Sequence, residues 1–438
     1  MSSLDELLNA RPTKQVWGEV CLLLAELDED RLAAVAPRVL SWPAQQRPMP
    51  DDWWAQWTTG DVRPHHFLAG ARHLGILHVD EDEFDEGEET GLNEASFTYG
   101  ATAVAAPSDL SWVALGAAAE WHHNGGDIVL WNTLNKDRLT WLLEGADYHD
   151  EPHDMQVSPD GRTVVTSVEG RLHAWSAGTG EELWTLPERT GTDNNDVLDD
   201  EDEEDEDEDE DDESLGLDDP VRIGFSGNGC RVAIGTYVSG RVAVMETETG
   251  RVVLSVPVEQ QAFGPVALDA KGRLLAHTSP EGRVVVREVD SGAVLVTIPT
   301  RLSRVNALAM APDGTAVFTV GGMADDAAPA AQLLKIEPSR AVCELIRPTE
   351  LPVEIDTNSS LAIFGTRAVW TDRGPYAFVT ADKGSMLFDS TARTLWAAPN
   401  HQIVSFTPDG RAMVTVDEII EAWFLTGLAV PESTANCR

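Results

Sequence analysis

Ser158-Pro159-Asp160-Gly161-Arg162 and, a little later, Gly178-Thr179-Gly180-Glu181-Glu182-Leu183-Trp184 are the two turns that decide the fold. The first is a Pro/Asp/Gly turn in which glycine accepts a positive φ. Ahead of it lies the short apolar run Met155–Ser158, and behind it the β-branched run Thr163–Val168. Glu169-Gly170 turns the chain again. Arg171–Ser176 then alternates, with Leu172 and Ala174 on one face. After the second turn, Glu182–Leu186 completes the unit. Four short antiparallel strands joined by tight turns make one blade-like sheet.

The frame recurs along the chain. It returns at Ile223–Gly229 with Thr247–Gly250, at Val266–Gly272 with Asp290–Gly292, at Met310–Gly314 and at Phe406–Gly410. Two blurred copies span Thr102–Leu143 and Ala368–Trp396. Turn glycines Gly229, Gly272 and Gly314 stand roughly forty residues apart, the period of a radial β-array. The count is seven, and the expected fold is an all-β, seven-bladed β-propeller rather than one of six or eight blades.

In this frame the sequence resembles the WD40-like propeller superfamily over residues 72–425. Its departures are specific. Trp131 precedes Asn132, Trp175 precedes Ser176 and Trp423 precedes Phe424, so the Trp-Asp dipeptide is missing. The Gly-His pair that opens standard repeats is absent too. The resemblance therefore implies the fold but not the Asp–His–Ser/Thr–Trp hydrogen-bond network. Thr179-Gly180…Trp184 resembles an ending seen in quinoprotein repeats, and a lone copy implies no quinone site. The last unit, 403–425, supplies three strands. Residues 72–79 read as the missing outer strand, closing the ring as WD40-like propellers do.

Residues 1–60 read as a small N-terminal α-helical domain. Val16, Val20, Leu23, Leu24 and Leu27 share a helical stripe, and Arg31–Leu40 reads as a second helix capped by Asp28 or Asp30. Trp53 and Trp57 share a face that packs helices or docks a partner. Residues 61–71 read as a linker and 426–438 as a tail. The chain has 438 residues and a formal net charge of −44, from 31 basic and 75 acidic residues. Fifteen consecutive acids occupy Asp199–Glu213, within a disordered insert spanning 188–219, because like charges at that density stay extended and solvated. Eight more acids fall in Asp80–Glu89. Acidity on this scale repels phosphates and argues against nucleic-acid binding. Apolar runs are too short for a membrane span, and the acidic start does not read as a signal peptide. The four cysteines (Cys21, Cys230, Cys343, Cys437) lie far apart, which reads as reduced thiols and a cytoplasmic location. Rare lysine, frequent arginine and abundant alanine suit a bacterial, GC-rich source.

Strand alternation sorts the loops onto two rims. Turns between first and second strands, and between third and fourth, share a rim of short turns. Second-to-third turns and inter-blade links share the other, which carries the enlargements: 80–96, 117–126, 144–154, 188–219, 321–331 and 347–360. Long loops on one face of a rigid scaffold point to function there. The expected partner-binding residues on that rim are Asp82, Glu83, Glu86, Trp121, His122, Tyr148, His149, Glu203, Asp205, Asp325 and Asp326. The expected partner is a basic protein, attracted by the acids. His122, His149 and His153 are zinc or manganese ligand types, so a metal-dependent hydrolase or lyase at the same mouth is an alternative. A small-ligand or glycan binder using Trp121 is another. No Gly-x-Ser-x-Gly elbow or Gly-Lys-Ser/Thr loop occurs. The reading is therefore a non-enzymatic scaffold without a cofactor. The oligomeric state is open.

Overall fold

The computed structural model describes residues 4–10, 16, 20, 31, 35 and 38, then 71–76, and in the remainder 101–117, 127–132, 139–143, 152–168, 170–186, 222–236, 240–258, 264–279, 282–323, 326–337, 340–348, 355–371, 374–398, 401–416 and 420–425. Near the start, α1 (Leu4–Asn9) has Asp5 and Glu6 in its first turn, where the helix dipole favours anions. Leu7 and Leu8 are buried. Helical Val20 is fully buried, and Arg38 reaches back to pair with Asp5 and to donate to Asn9 Oδ1 at 3.2 Å. Leu23, Leu24, Leu27, Trp53 and Trp57 lie outside the described residues. Among those described, no helix is long and apolar enough to cross a membrane.

The strands follow in chain order. First comes β1 (Ala71–Ile76). Blade one is β2 (Ala101–Ala105), β3 (Trp112–Ala117), β4 (Ile128–Asn132) and β5 (Leu139–Leu143). Blade two is β6 (Asp154–Val157), β7 (Thr163–Val168), β8 (Arg171–Ser176) and β9 (Glu182–Leu186). Blade three is β10 (Arg222–Phe225), β11 (Arg231–Gly235), β12 (Arg241–Glu246) and β13 (Val252–Pro257). Blade four is β14 (Val266–Leu268), β15 (Leu274–Ser279), β16 (Arg283–Glu288) and β17 (Val294–Pro299). Blade five is β18 (Leu302–Met310), β19 (Ala316–Met323), β20 (Asp326–Glu337) and β21 (Arg340–Ile346). A short helix, α2 (Ser360–Gly365), precedes blade six: β22 (Arg367–Thr371), β23 (Gly374–Ala381), β24 (Gly384–Asp389) and β25 (Thr394–Ala398). Blade seven takes β26 (Ile403–Phe406), β27 (Ala412–Val416) and β28 (Ile420–Leu425).

Seven four-stranded antiparallel sheets result, so the fold is the expected seven-bladed all-β propeller. The seventh sheet runs β1-β28-β27-β26. In it Ala71 pairs with Leu425 and His73 with Trp423, so a strand from before blade one is the outer strand of blade seven.

The turns form for the reason their residues announce. Gly161, Gly229, Gly272, Gly314 and Gly410 all have φ between 66° and 74°, open to glycine at no steric cost. In four of these turns the polar residue three before the glycine, Ser158, Ser226, Asp269 or Thr407, satisfies stray amides, while the turn at Gly314 has Ala311 there. Ser158 Oγ donates to Asp160 at 2.7 Å and accepts from Thr163 N at 2.9 Å. Thr407 does the same with Asp409 at 2.8 Å and Ala412 N at 3.1 Å. Trp184 closes its unit by docking blade two on blade three: its Nε1 donates to Thr247 O at 2.8 Å. Its ring lies where a Cβ on Gly250 would be, 2.8 Å away.

The core lies between blades, since each sheet buries both faces against its neighbours. One cluster joins blades one and two through Ile128, Val164 and Trp175. Another joins six and seven through Phe378, Trp396 and Trp423. Trp423 Nε1 donates to buried Thr415 Oγ1 at 3.0 Å. This is one Trp–Thr link of the kind standard repeats use, present although the Trp-Asp dipeptide is not.

Buried polar groups are also placed in the sheets. His277 on β15 is 2% exposed. Its Nε2 accepts from Arg287 Nε at 3.0 Å, and its Nδ1 donates to Thr278 O at 3.0 Å. That pattern needs the neutral ring. Burial lowers its pKa to about 4; the Thr278 bond opposes the shift and Arg287 adds to it. Between that value and the ordinary 6.5, the unfolded chain binds a proton that the folded chain does not. Stability is therefore complete above about pH 6.5 and lost as pH falls toward 4, by on the order of 3 kcal/mol. Urea midpoints measured from pH 7 to pH 4.5 should fall, and His277→Gln should remove that part of the slope. An unchanged slope would place the titration elsewhere.

Two expectations need correction. Residues 321–331 are not an enlarged loop: β19 and β20 pair almost to their tip, Gly321 with Ala330 and Met323 with Asp326, because a register shift at Gly322/Met323 lets the hairpin continue. Cys230 is disulfide-bonded and only Cys343, among the described residues, is a free thiol.

Candidate functional site at the propeller axis

The inner strand of every blade runs along the axis. It pairs within its blade along one edge, and the other edge faces the channel. The channel encloses about 1010 Å³. Its mouth is formed by the short-turn rim, including Asp109, Asp160, Asn228, Pro312 and Asp409. Partway down, Gln156, Leu308, Val369 and Trp370 line the wall.

At the other end lie Asp154, Arg222 and Arg367, each the first residue of its inner strand. Asp154 is nearly buried and makes four contacts. Its Oδ1 accepts from Met155 N at 3.0 Å, from Arg367 Nη2 at 3.1 Å and, more loosely, from Gln156 Nε2 at 3.5 Å. Its Oδ2 accepts from Ile223 N of the next blade at 3.0 Å. The Arg367–Asp154 pair thus ties blade six to blade two across the axis, with side chains 18% and 4% exposed.

The helix α2 lies against the same end. Ser359 caps it, its hydroxyl accepting from Ala362 N at 3.2 Å. Its C-terminal carbonyls face the arginines, the favourable end of the helix dipole for cations. Arg222 Nη2 donates to Ile363 O at 2.6 Å, and Arg367 Nη1 to Phe364 O at 2.5 Å. Asn306 of blade five holds the helix from the side, through Thr357 O at 3.1 Å and Ala362 O at 3.4 Å. The Arg222 guanidinium also sits 5.9 Å over the Phe364 ring. Burial pulls Arg222 down to about 9, with Arg367 adding to the effect and Asp154 opposing it. At the mouth, burial raises Asp409, against the pull of Arg411, whose Nε lies 3.4 Å from its Oδ2.

Most residues singled out in the sequence lie outside the described residues: Asp82, Glu83, Glu86, Trp121, His122, Tyr148, His149, Glu203, Asp205 and Asp325. Asp326 opens β20 opposite Met323. His153 is exposed next to Asp154, and its backbone N–H donates to Ser167 O at 3.0 Å. Among the described residues, no group of three His, Cys, Asp or Glu side chains could hold a metal ion. The sequence reading missed Asp154, Arg222 and Arg367. A signal was present: Asp154 and Arg222 precede Gly161 and Gly229 by the same interval, where the repeats of Gly272, Gly314 and Gly410 have Pro265, Ala307 and Ile403.

No protein-family model matches the chain, and no curated protein matches it in sequence. Among solved structures, a chain from "Crystal Structure of Mitotic Checkpoint Complex" is similar, with a TM-score of 0.51 and 14% identity, over 75% of this chain and 87% of that one. At that identity the likeness concerns the fold alone. The likeness and the seven four-stranded sheets together show a seven-bladed β-propeller fold.

Proposed function

We propose that the chain is a non-enzymatic scaffold that holds a basic protein partner on its acidic, loop-bearing rim. The observation that carries this is topological. β9, the outer strand of blade two, ends at that rim, and β10, the inner strand of blade three, begins there. That link, residues 187–221, contains fifteen consecutive acids, Asp199–Glu213. Asp82, Glu83 and Glu86 precede blade one, in the link from the closing strand. Charge concentrated this way raises the encounter rate of a cationic partner and makes it salt-dependent. A similar fold occurs in a chain of a mitotic checkpoint complex, in keeping with a propeller that holds other proteins.

The test deletes residues 196–213. A partner captured from the native host with the intact chain should bind it roughly tenfold or more weakly as salt rises from low to well above physiological, because the screening length shrinks below about 8 Å. The deletion should weaken binding at low salt and flatten that dependence. An affinity and salt slope unchanged by the deletion would end the proposal for this loop.

A further inference from the structure

Arg222 stands out among the buried groups of the channel. It is 9% exposed, yet of its five N–H donors only Nη2 has a hydrogen-bond partner among the described residues, Ile363 O. The neighbouring carboxylate does not serve it: Asp154 is engaged by Arg367 and by the amides of Met155 and Ile223. Desolvation without an anionic partner is a costly state for a guanidinium, and its pKa falls to about 9 accordingly. The group lines the axial channel, so an anion entering from the short-turn rim would meet it.

We propose that the inner end of the channel is a binding site for a small organic monocarboxylate, its carboxylate held by the Arg222 guanidinium. The planar fork of arginine matches a carboxylate bidentately. The charge count decides against heavier anions. Arg222 and Arg367 against Asp154 leave one net positive charge, enough for a monoanion. Asp109, Asp160 and Asp409 at the mouth, and a chain of net charge −44, disfavour phosphates and polyanions. Beside the charged end, Leu308, Val369 and Trp370 offer an apolar wall to the rest of the ligand. The site lies at the end of the channel where β6, β10 and β22 begin, the end at which the acidic link enters β10, but it takes a small ligand on Arg222 and does not rest on the partner proposed above.

Isothermal titration of the full chain with benzoate tests this, with acetate, succinate and inorganic phosphate as further arms. Saturable one-site binding of benzoate is expected, with acetate weaker for want of the apolar contact. Arg222→Gln should weaken benzoate at least tenfold, and Arg222→Lys less. Gln156→Trp removes only the loose 3.5 Å contact to Asp154, keeps Arg222, Arg367 and Asp154, and fills the channel above them, so it should also abolish binding. It carries the test should Arg222→Gln fail to fold. The proposal is overturned by no saturable benzoate binding, by binding unaffected in either variant, or by phosphate or succinate binding more tightly than benzoate.

Discussion

Asp154→Ala should cost the fold about 3–5 kcal/mol, the loss expected when one partner of a buried, hydrogen-bonded ion pair is removed. The change strands several groups together. Arg367 loses the anion 3.1 Å away, and its side chain is only 18% exposed. The amide of Ile223 loses its acceptor, which loosens the contact between β6 and β10. Arg222, already buried, loses the one charge that works to keep it protonated. Urea unfolding at pH 7 reads the loss. Asp154→Asn keeps an acceptor oxygen and should cost less. A double-mutant cycle with Arg367→Met should return a coupling of about 1 kcal/mol or more. A loss below about 1 kcal/mol for Asp154→Ala would show that this end of the channel is wet and the pair dispensable.

Trp423→Ala should be of similar size, about 3–5 kcal/mol, as for other large buried aromatics. Trp423 is 2% exposed and meets Trp396 edge-on at 5.6 Å, while Trp396 lies 5.7 Å from Phe378. Its truncation opens a cavity between blades six and seven and leaves the Thr415 hydroxyl without its donor. The residue also sits on β28, opposite His73 of the closing strand. The effect should therefore concentrate at the ring closure. Hydrogen exchange in Ala71–Ile76 should rise well before exchange in blade three. Trp423→Phe keeps most of the packing and should cost about half as much. Uniform acceleration over all blades would mean that the ring opens as one unit and the closing strand has no separate weakness.

The propeller was legible because its signals are local. A positive φ at Gly161 or Gly410 is set by the residue itself, and β-branched alternation in Thr163–Val168 or Arg171–Ser176 has a period of two whatever lies beyond it. Repetition of those signals counted the blades, and the three-stranded last unit called for one more strand from elsewhere. The length of the blade-five hairpin was not legible, because Gly321-Gly322 reads as a turn; only pairing with Ala330 and Pro329 shows the strand running on. Nor was α2, since Ser360–Gly365 is too short to show a helical period and is held by Arg222, Asn306 and a cap.

The axial site divides along the same line. The charges of Asp154, Arg222 and Arg367 are plain in the sequence, as is the shared phase of the first two. Their meeting is not, because Asp154 and Arg367 are 213 residues apart and touch only after the ring has closed. Blade number and rim assignment follow from short-range backbone preferences that every repeat restates. Which charges face one another across the axis depends on how many blades close the circle and at what angle. That is a property of packing between sheets, and no single repeat contains it.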